Sequence, residues 1–209
     1  MLGRNKMGVK ILKGNLTHSS RRTALIAVCV AVCLIIPSLA WASTNELPKT
    51  MVRFAEAELV KLGRNPVVVQ AVKAQNAKRV GLQKIEEIDK WWKASEKIEP
   101  FMFDLMRNRC ALILMNFSVD NKFVLEAFVM DNQGALVALS LKTSDYWQGD
   151  EAKFTESFKN GAGAIHYGDV EFDDSTGEIQ VQISVPVMEG QRAIGAITFG
   201  ISLDRWERR

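Results

Sequence analysis

Nine consecutive residues, Thr143-Ser144-Asp145-Tyr146-Trp147-Gln148-Gly149-Asp150-Glu151, bring two large aromatics and three carboxylates together. They lie between a β-like run at 135–141 and an amphipathic run at 152–158. A pocket for a small polar molecule uses aromatic walls and a few oriented hydrogen-bonding groups. A connection with only a structural task is usually small and polar. A second reading stands beside this one: Tyr146 and Trp147 belong to the core and the acids are solvated, since aromatics are frequent core residues.

The other reactive side chains point away from catalysis. His166 is the one histidine outside the first 42 residues, and a lone histidine in a β-like run reads as structural or exposed. There is no Gly-rich phosphate loop, HExxH, GxSxG or CxxC. Asp150 and Glu151 are adjacent, so they do not share a face as a general acid and base would. Asp169, Glu171, Asp173, Asp174 and Glu178 lack the spacing of an EF-hand, and residues 173–177 read as a hairpin turn. The expectation is no catalytic residue, no metal site, no cofactor and no enzyme.

The elements that must position the 143–151 segment are helical before it and extended around and after it. Val52, Ala55, Leu59 and Leu62 make a narrow apolar stripe on a charged helix. Gly63 ends the stripe, and Asn65-Pro66 restarts a helix as N-cap and first-turn proline, followed by Val68, Ala71, Val72 and Gln75. Gly81 opens a third piece in which Ile85, Ile88 and Trp92 share a face, and Pro100 opens a fourth, apolar helix over 101–115. Strands follow at 123–130 and 135–141 with a turn between them. Ile179, Val181, Ile183, Val185 and Val187 alternate with Gln180, Gln182, Ser184 and Pro186, which predicts a strand with the first set turned inward. A turn at 189–191 leads to a last strand at 193–203, where Gly195 and Gly200 allow close packing or a bulge. Helices first and antiparallel hairpins second predict an α+β fold.

The chain begins with a three-part leader. Arg4, Lys6, Lys10, Lys13, Arg21 and Arg22 form a basic n-region, residues 24–36 are apolar, Pro37 breaks the run, and Ala40-Trp41-Ala42 precedes Ser43. This predicts a signal peptide over 1–42, periplasmic or secreted localisation and a single domain over 43–209. The alternative is an uncleaved inner-membrane anchor over 24–42, about the ~20 apolar residues a span needs. Cys29 and Cys33 each follow valine, which does not make a lipoprotein site. The formal charge of +3 includes the six basic residues of the leader; the remainder holds 21 basic against 24 acidic residues, or −3. That gives no case for nucleic acid. Cys110, in an apolar helical run, is the only cysteine left, so no intrachain disulfide forms.

Several ordered blocks carry a family resemblance: TSDYWQGDEAKF (143–154), YGDVEFDDSTGE (167–178), VQISVPV (181–187) and IGAITFGISL (194–203), with NPVVVQAVKAQNAK (65–78) and IEEIDKWW (85–92) upstream. Together they resemble the Cache/PDC sensor domains, PAS-like extracytoplasmic ligand-binding modules of bacteria. The resemblance covers essentially all of 43–209. It implies a long N-terminal helix packed on a five-stranded antiparallel sheet, with a small molecule held between the sheet and the loop–helix region over it. Family members usually sit between two membrane spans and drive a chemoreceptor, kinase or cyclase. Here only residues 204–209 follow the last strand, so the expectation is a stand-alone form. The Arg-x-Trp-Tyr run of the amino-acid-binding branch is absent, and that branch's ligand is not carried over.

On this resemblance and on residue type, Tyr146 and Trp147 would wall the pocket and Asp145 or Asp150 would accept from an ammonium or hydroxyl. Lys142 and Thr143 would hold a carboxylate, and Asp173 would close the far side. The function expected is a periplasmic sensor domain that binds a small polar metabolite, a carboxylate or an amine, and reports occupancy to a membrane-bound signalling protein. The alternative is a ligand-free interaction module that uses the PAS-like sheet or the N-terminal helix, with its stripe at 52–62, as a dimer surface.

Overall fold

Asn65 accepts a hydrogen bond from Val67 N at 2.9 Å and Pro66 occupies the first helical position, so helix α3 starts where the sequence places it. The computed structural model describes residues 47–173 and 177–209; the leader predicted over 1–42 and the hairpin tip at 174–176 lie outside the described residues. Ahead of α3 runs one helical stretch, α1 (Lys49–Phe54), a π turn (Ala55–Leu59) and α2 (Val60–Gly63), followed by α3 (Pro66–Ala77) and α4 (Leu82–Ala94). Among the described residues no helix is long and apolar enough to cross a membrane.

The apolar run expected as one helix over 101–115 is two, α5 (Pro100–Arg107) and α6 (Arg109–Asp120). Asn108 separates them because its extended backbone (φ −67°, ψ 166°) lets its side chain cap α6 through Ala111 N at 2.9 Å. The same amide donates to Val137 O at 2.9 Å, tying the break to the sheet. Cys110 is buried at the start of α6, and burial pushes its thiol up to about 12.

Strands β1 (Val124–Met130), β2 (Leu136–Leu139), β3 (His166–Asp173), β4 (Glu178–Glu189) and β5 (Arg192–Ser202) form one antiparallel sheet in the order β2-β1-β5-β4-β3. The fold is therefore α+β with a five-stranded antiparallel sheet, as the sequence resemblance implies. A short helix, α7 (Ala152–Phe158), lies between β2 and β3, and α8 (Leu203–Glu207) follows β5.

Period-two alternation gives the sheet two different faces. One carries Val181, Ile183, Val185 and Val187 of β4 with Ile197, Phe199 and Ile201 of β5, packed on Met51, Ala55 and Leu59 of the N-terminal helix, Val72 of α3 and Leu114 of α6. The apolar stripe of the first helix is thus consumed inside the chain, while Arg53, Glu56 and Lys61 face outward. Gly195 permits this close layer: a Cβ there would meet Val72 at 3.0 Å and overlap Met130 O. The opposite face carries Phe128 and Met130 of β1 with Ala196 of β5, packed on Ile85 and Trp92 of α4, Met102 of α5, Tyr146 and Phe154.

Two expectations for β4 need correction. Ile179 is 48% exposed rather than turned into the core, because it pairs with exposed Phe172 at the hairpin end of the sheet, where neither side chain is covered. The polar set Gln180 and Ser184 is buried, not solvated.

Candidate functional site

Asp89 organises the segment between β2 and α7. It sits on α4 three and four residues before Trp92 and Lys93, so all three share a face. Its Oδ1 accepts from Tyr146 N at 2.9 Å and Trp147 N at 3.1 Å, while Oδ2 pairs with Lys93 Nζ at 2.7 Å. Lys93 also reaches Asp145 at 3.2 Å, and these partners, the Asp89 hydrogen bond foremost, raise its pKa. Trp92 Nε1 donates to Thr143 O at 2.9 Å. On the other side, Leu136 N donates to Tyr146 O at 3.1 Å and Gln148 N to Gly134 O at 2.9 Å, so the segment pairs alongside the sheet like a short extra strand.

This arrangement places the sequence-predicted residues in different surroundings. Tyr146 is core, its ring tilted against Trp92 at 5.8 Å and Phe101 at 5.6 Å between centroids, and burial pushes its phenol up to about 12. Trp147 donates from Nε1 to Gln133 O at 2.8 Å and lines a cavity of about 590 Å³ beside α7. Lys142 holds its ammonium 5.7 Å from the Trp92 ring centroid. Asp145 is engaged with Lys93, and Asp150 is exposed. Thr143 and Asp173 come together in a separate cavity of about 380 Å³, a size within the ~300–1,000 Å³ of ligand pockets. A larger depression, about 820 Å³, is a groove between α3 and α5–α6 lined by none of the predicted residues.

The 380 Å³ cavity lies on the second face of the sheet. Its floor is Glu126 and Phe128 of β1 and Gln182 of β4; its cover is Thr143, Ser144 and Gln148 with Lys153 of α7; its outer wall is Glu171, Phe172 and Asp173 of β3. Register explains the floor. Glu126 and Gln182 both pair with Gly200, one on each side. A Cβ at Gly200 would come within 2.7 Å of Glu126 Cγ and 3.0 Å of its Oε1, so the glycine leaves room for the two side chains to meet across β5. Gln182 Nε2 donates to Glu126 Oε1 at 3.1 Å. The buried hydroxyls of Ser184 and Thr198 bond each other at 2.8 Å farther along the same row.

Two groups in this cavity are under-satisfied. Gln148 is 1% exposed; its Nε2 donates to Asp145 O at 3.1 Å, but its Oε1 accepts nothing from the described residues. Glu126 is 6% exposed, and burial, with Asp173 adding repulsion, raises its carboxyl above the usual range against the opposing effects of the Gln182 hydrogen bond and Lys153. Sequence reasoning missed both. The available signal was Glu126 itself, a lone carboxylate in the apolar run of β1, since a buried acid is the informative exception in a strand.

The raised Glu126 carboxyl fixes a sign. Its contribution to stability is present below the ordinary value of 4.5 and is lost as pH rises through the higher folded-state value. Glu126→Gln is therefore expected to melt higher than the parent at neutral pH, with the difference closing toward acid, where the parent carboxyl is protonated. Melting curves across that range check it; equal melting temperatures at neutral pH would show that the carboxyl is not strained by burial. Asp131, also raised by burial, is common to both proteins and cancels.

No family model matches the chain, and no curated protein matches it. Solved structures do. The sensor domain of the histidine kinase DctB of V. cholerae is 14% identical, with 77% of this chain and 52% of that one covered and a TM-score of 0.45. The ligand-binding domain of the Campylobacter jejuni chemoreceptor Tlp3, in complex with 4-methylisoleucine, is 13% identical over 75% and 65% at a TM-score of 0.40. The extracellular domain of the putative histidine kinase rpHK1S-Z16 is 11% identical over 71% and 56% at 0.39. By their names these are sensor, ligand-binding or extracellular domains of histidine kinases and a chemoreceptor. The chain spans about half to two thirds of the length of these structures. What they bind is a property of those proteins; the cavity of this chain has its own chemistry.

Proposed function

We propose that the chain is an extracytoplasmic sensor domain that binds a small polar molecule in the 380 Å³ cavity and passes occupancy to a partner, a membrane-bound signalling protein. The observation that carries the reading is the buried polar floor and cover: Glu126 is a buried carboxyl with no ion pair among the described residues, Gln148 Oε1 is a buried acceptor with no donor among them, and a ligand bearing donors serves both. Of the residues expected from sequence, Thr143 and Asp173 belong to this site. The role is binding rather than catalysis: His166 lines a neighbouring depression with Tyr167 instead of this cavity.

The geometry also supports a route for the signal. A ligand held by Glu126 and Gln182 on the sheet and by Gln148 on the cover clamps the two together. The cover is tied to α4 through Asp89 and Trp92, so clamping favours one arrangement of α4 against the sheet. A ligand shifts such an equilibrium by its differential affinity for the two arrangements.

A thermal-shift screen of small metabolites on the purified chain tests the reading, because a ligand at ~100 times its dissociation constant adds about 2.7 kcal/mol. The shift should vanish in Gln182→Ala and persist in Asp150→Asn. A shift lost instead in Trp147→Ala moves the site to the 590 Å³ cavity. A second reading, the ligand-free interaction module, has one observation in its favour: Phe103, Leu112, Met115 and Val119 are exposed on α5 and α6. A dimer in sedimentation that Met115→Asp dissociates, with no hit from the screen, would support it.

A further inference from the structure

We infer that the ligand of the 380 Å³ cavity is a small organic cation, an alkylammonium compound bearing no carboxylate, whose nitrogen is held by Glu126 between the cover and β3. This rests on the proposed function and specifies its ligand.

Among the described residues that line the cavity, the carboxylates are Glu126, Glu171 and Asp173 and the cation is Lys153. Lys153 is already committed, with Nζ 3.0 Å from Glu151 Oε2 and 5.7 Å from the Phe128 ring centroid. An anionic ligand would pass the carboxylates of β3 and find, among the described residues of the wall, no cation but the engaged Lys153. Among the described residues Glu126 forms no ion pair; the donors on it are neutral amides, Gln182 Nε2 at 3.1 Å and the Gln180 side chain. Burying a carboxylate without a cation is expensive, and a ligand ammonium supplies both the charge and three donors.

Two independent observations point the same way. Gln148 Oε1 is a fully buried acceptor with no donor, so the complement of the cover, like that of the floor, is a donor. The site also has an aromatic base: Phe128 is buried in the floor and already carries the Lys153 ammonium over its ring, and Phe172 stands in the outer wall. Ring faces beside carboxylates are the surroundings that favour ammonium over neutral or anionic groups. A metal ion fits less well, since no three His, Cys, Asp or Glu converge in a ligating arrangement among the described residues.

The test uses the full chain with ethanolamine and diaminobutane as hydrochlorides, succinate as its sodium salt, and sodium chloride at matched ionic strength. The amines should raise the melting temperature, and calorimetric titration should show Glu126→Gln weakening them by roughly 10- to 150-fold, the loss of one charge-assisted hydrogen bond. Succinate should have no effect beyond that of the salt. The melting curve of Glu126→Gln, expected to be that of a folded protein, separates lost binding from lost structure. If succinate binds and Lys153→Ala abolishes it, the cavity takes an anion: the cation inference falls and the sensor reading stands. Amine binding unchanged in Glu126→Gln, or no amine binding at all, overturns the inference, and the wider metabolite screen then decides the sensor reading separately.

Discussion

Trp92→Ala is expected to lower the stability of the domain by about 3–5 kcal/mol, the range for emptying a fully buried aromatic site. The side chain is completely buried against Tyr146, with its ring 5.8 Å away. Its loss also strands the carbonyl of Thr143, which accepts from Trp92 Nε1 at 2.9 Å, in a buried segment. The neighbouring tryptophan is the internal control. Trp91 is 42% exposed, and its nearest aromatic partner is Phe101 at 6.3 Å, so Trp91→Ala should cost under ~1 kcal/mol. Urea midpoints at unchanged slope read both values. Similar costs at the two positions would mean that α4 does not present Trp92 to the core.

Ile183→Ala is expected to cost about 2–5 kcal/mol, because Ile183 is fully buried at the centre of β4 among Phe199, Leu59 and their neighbours. Ile179→Ala, on the same face four residues earlier, should cost under ~1 kcal/mol, since that side chain is exposed beside Phe172. The pair separates register from burial. A large loss at Ile179 would show that something covers the hairpin end of the sheet.

These two contrasts mark how far the sequence could be read. Stripes such as Ala55 and Leu59, or Ile85 and Trp92, announce their faces because helical spacing is local information, though the first stripe was read from Val52, which is half-buried, where Met51 is the buried neighbour. The break at Asn108 was hidden, since an amide inside an apolar run becomes a cap only when Val137 O stands ready to hold it. Alternation along β4 revealed that its two faces differ. It did not reveal that Gln180 and Ser184 are buried or that Gln182 floors a covered cavity, because the cavity's cover is supplied by residues 143–153, tens of positions away.

The candidate site was legible in the same partial way. The segment 143–151 drew attention through its aromatics, yet Tyr146 serves the core, and the residues of that segment that reach the cavity are Thr143, Ser144 and Gln148. Asp89, which holds the segment, does so across 57 residues of sequence to Tyr146. Glu126 and Gln182 meet only because Gly200 intervenes in the sheet between them. Pairings of this range follow from strand order and register, which single-residue spacing does not encode.

The central claim, a small-molecule site between the polar face of the sheet and its loop–helix cover, is tested most directly by mapping where a ligand lands. The most stabilising compound of the metabolite screen is titrated into isotope-labelled chain and amide resonances are followed by heteronuclear NMR. The account predicts saturable shifts centred on Thr143, Gln148, Gln182 and Gly200, with Leu112 and Met115 unmoved. Shifts centred on the α3–α6 groove or on Trp147 and Lys159, with Gln148 and Gln182 silent, would contradict it.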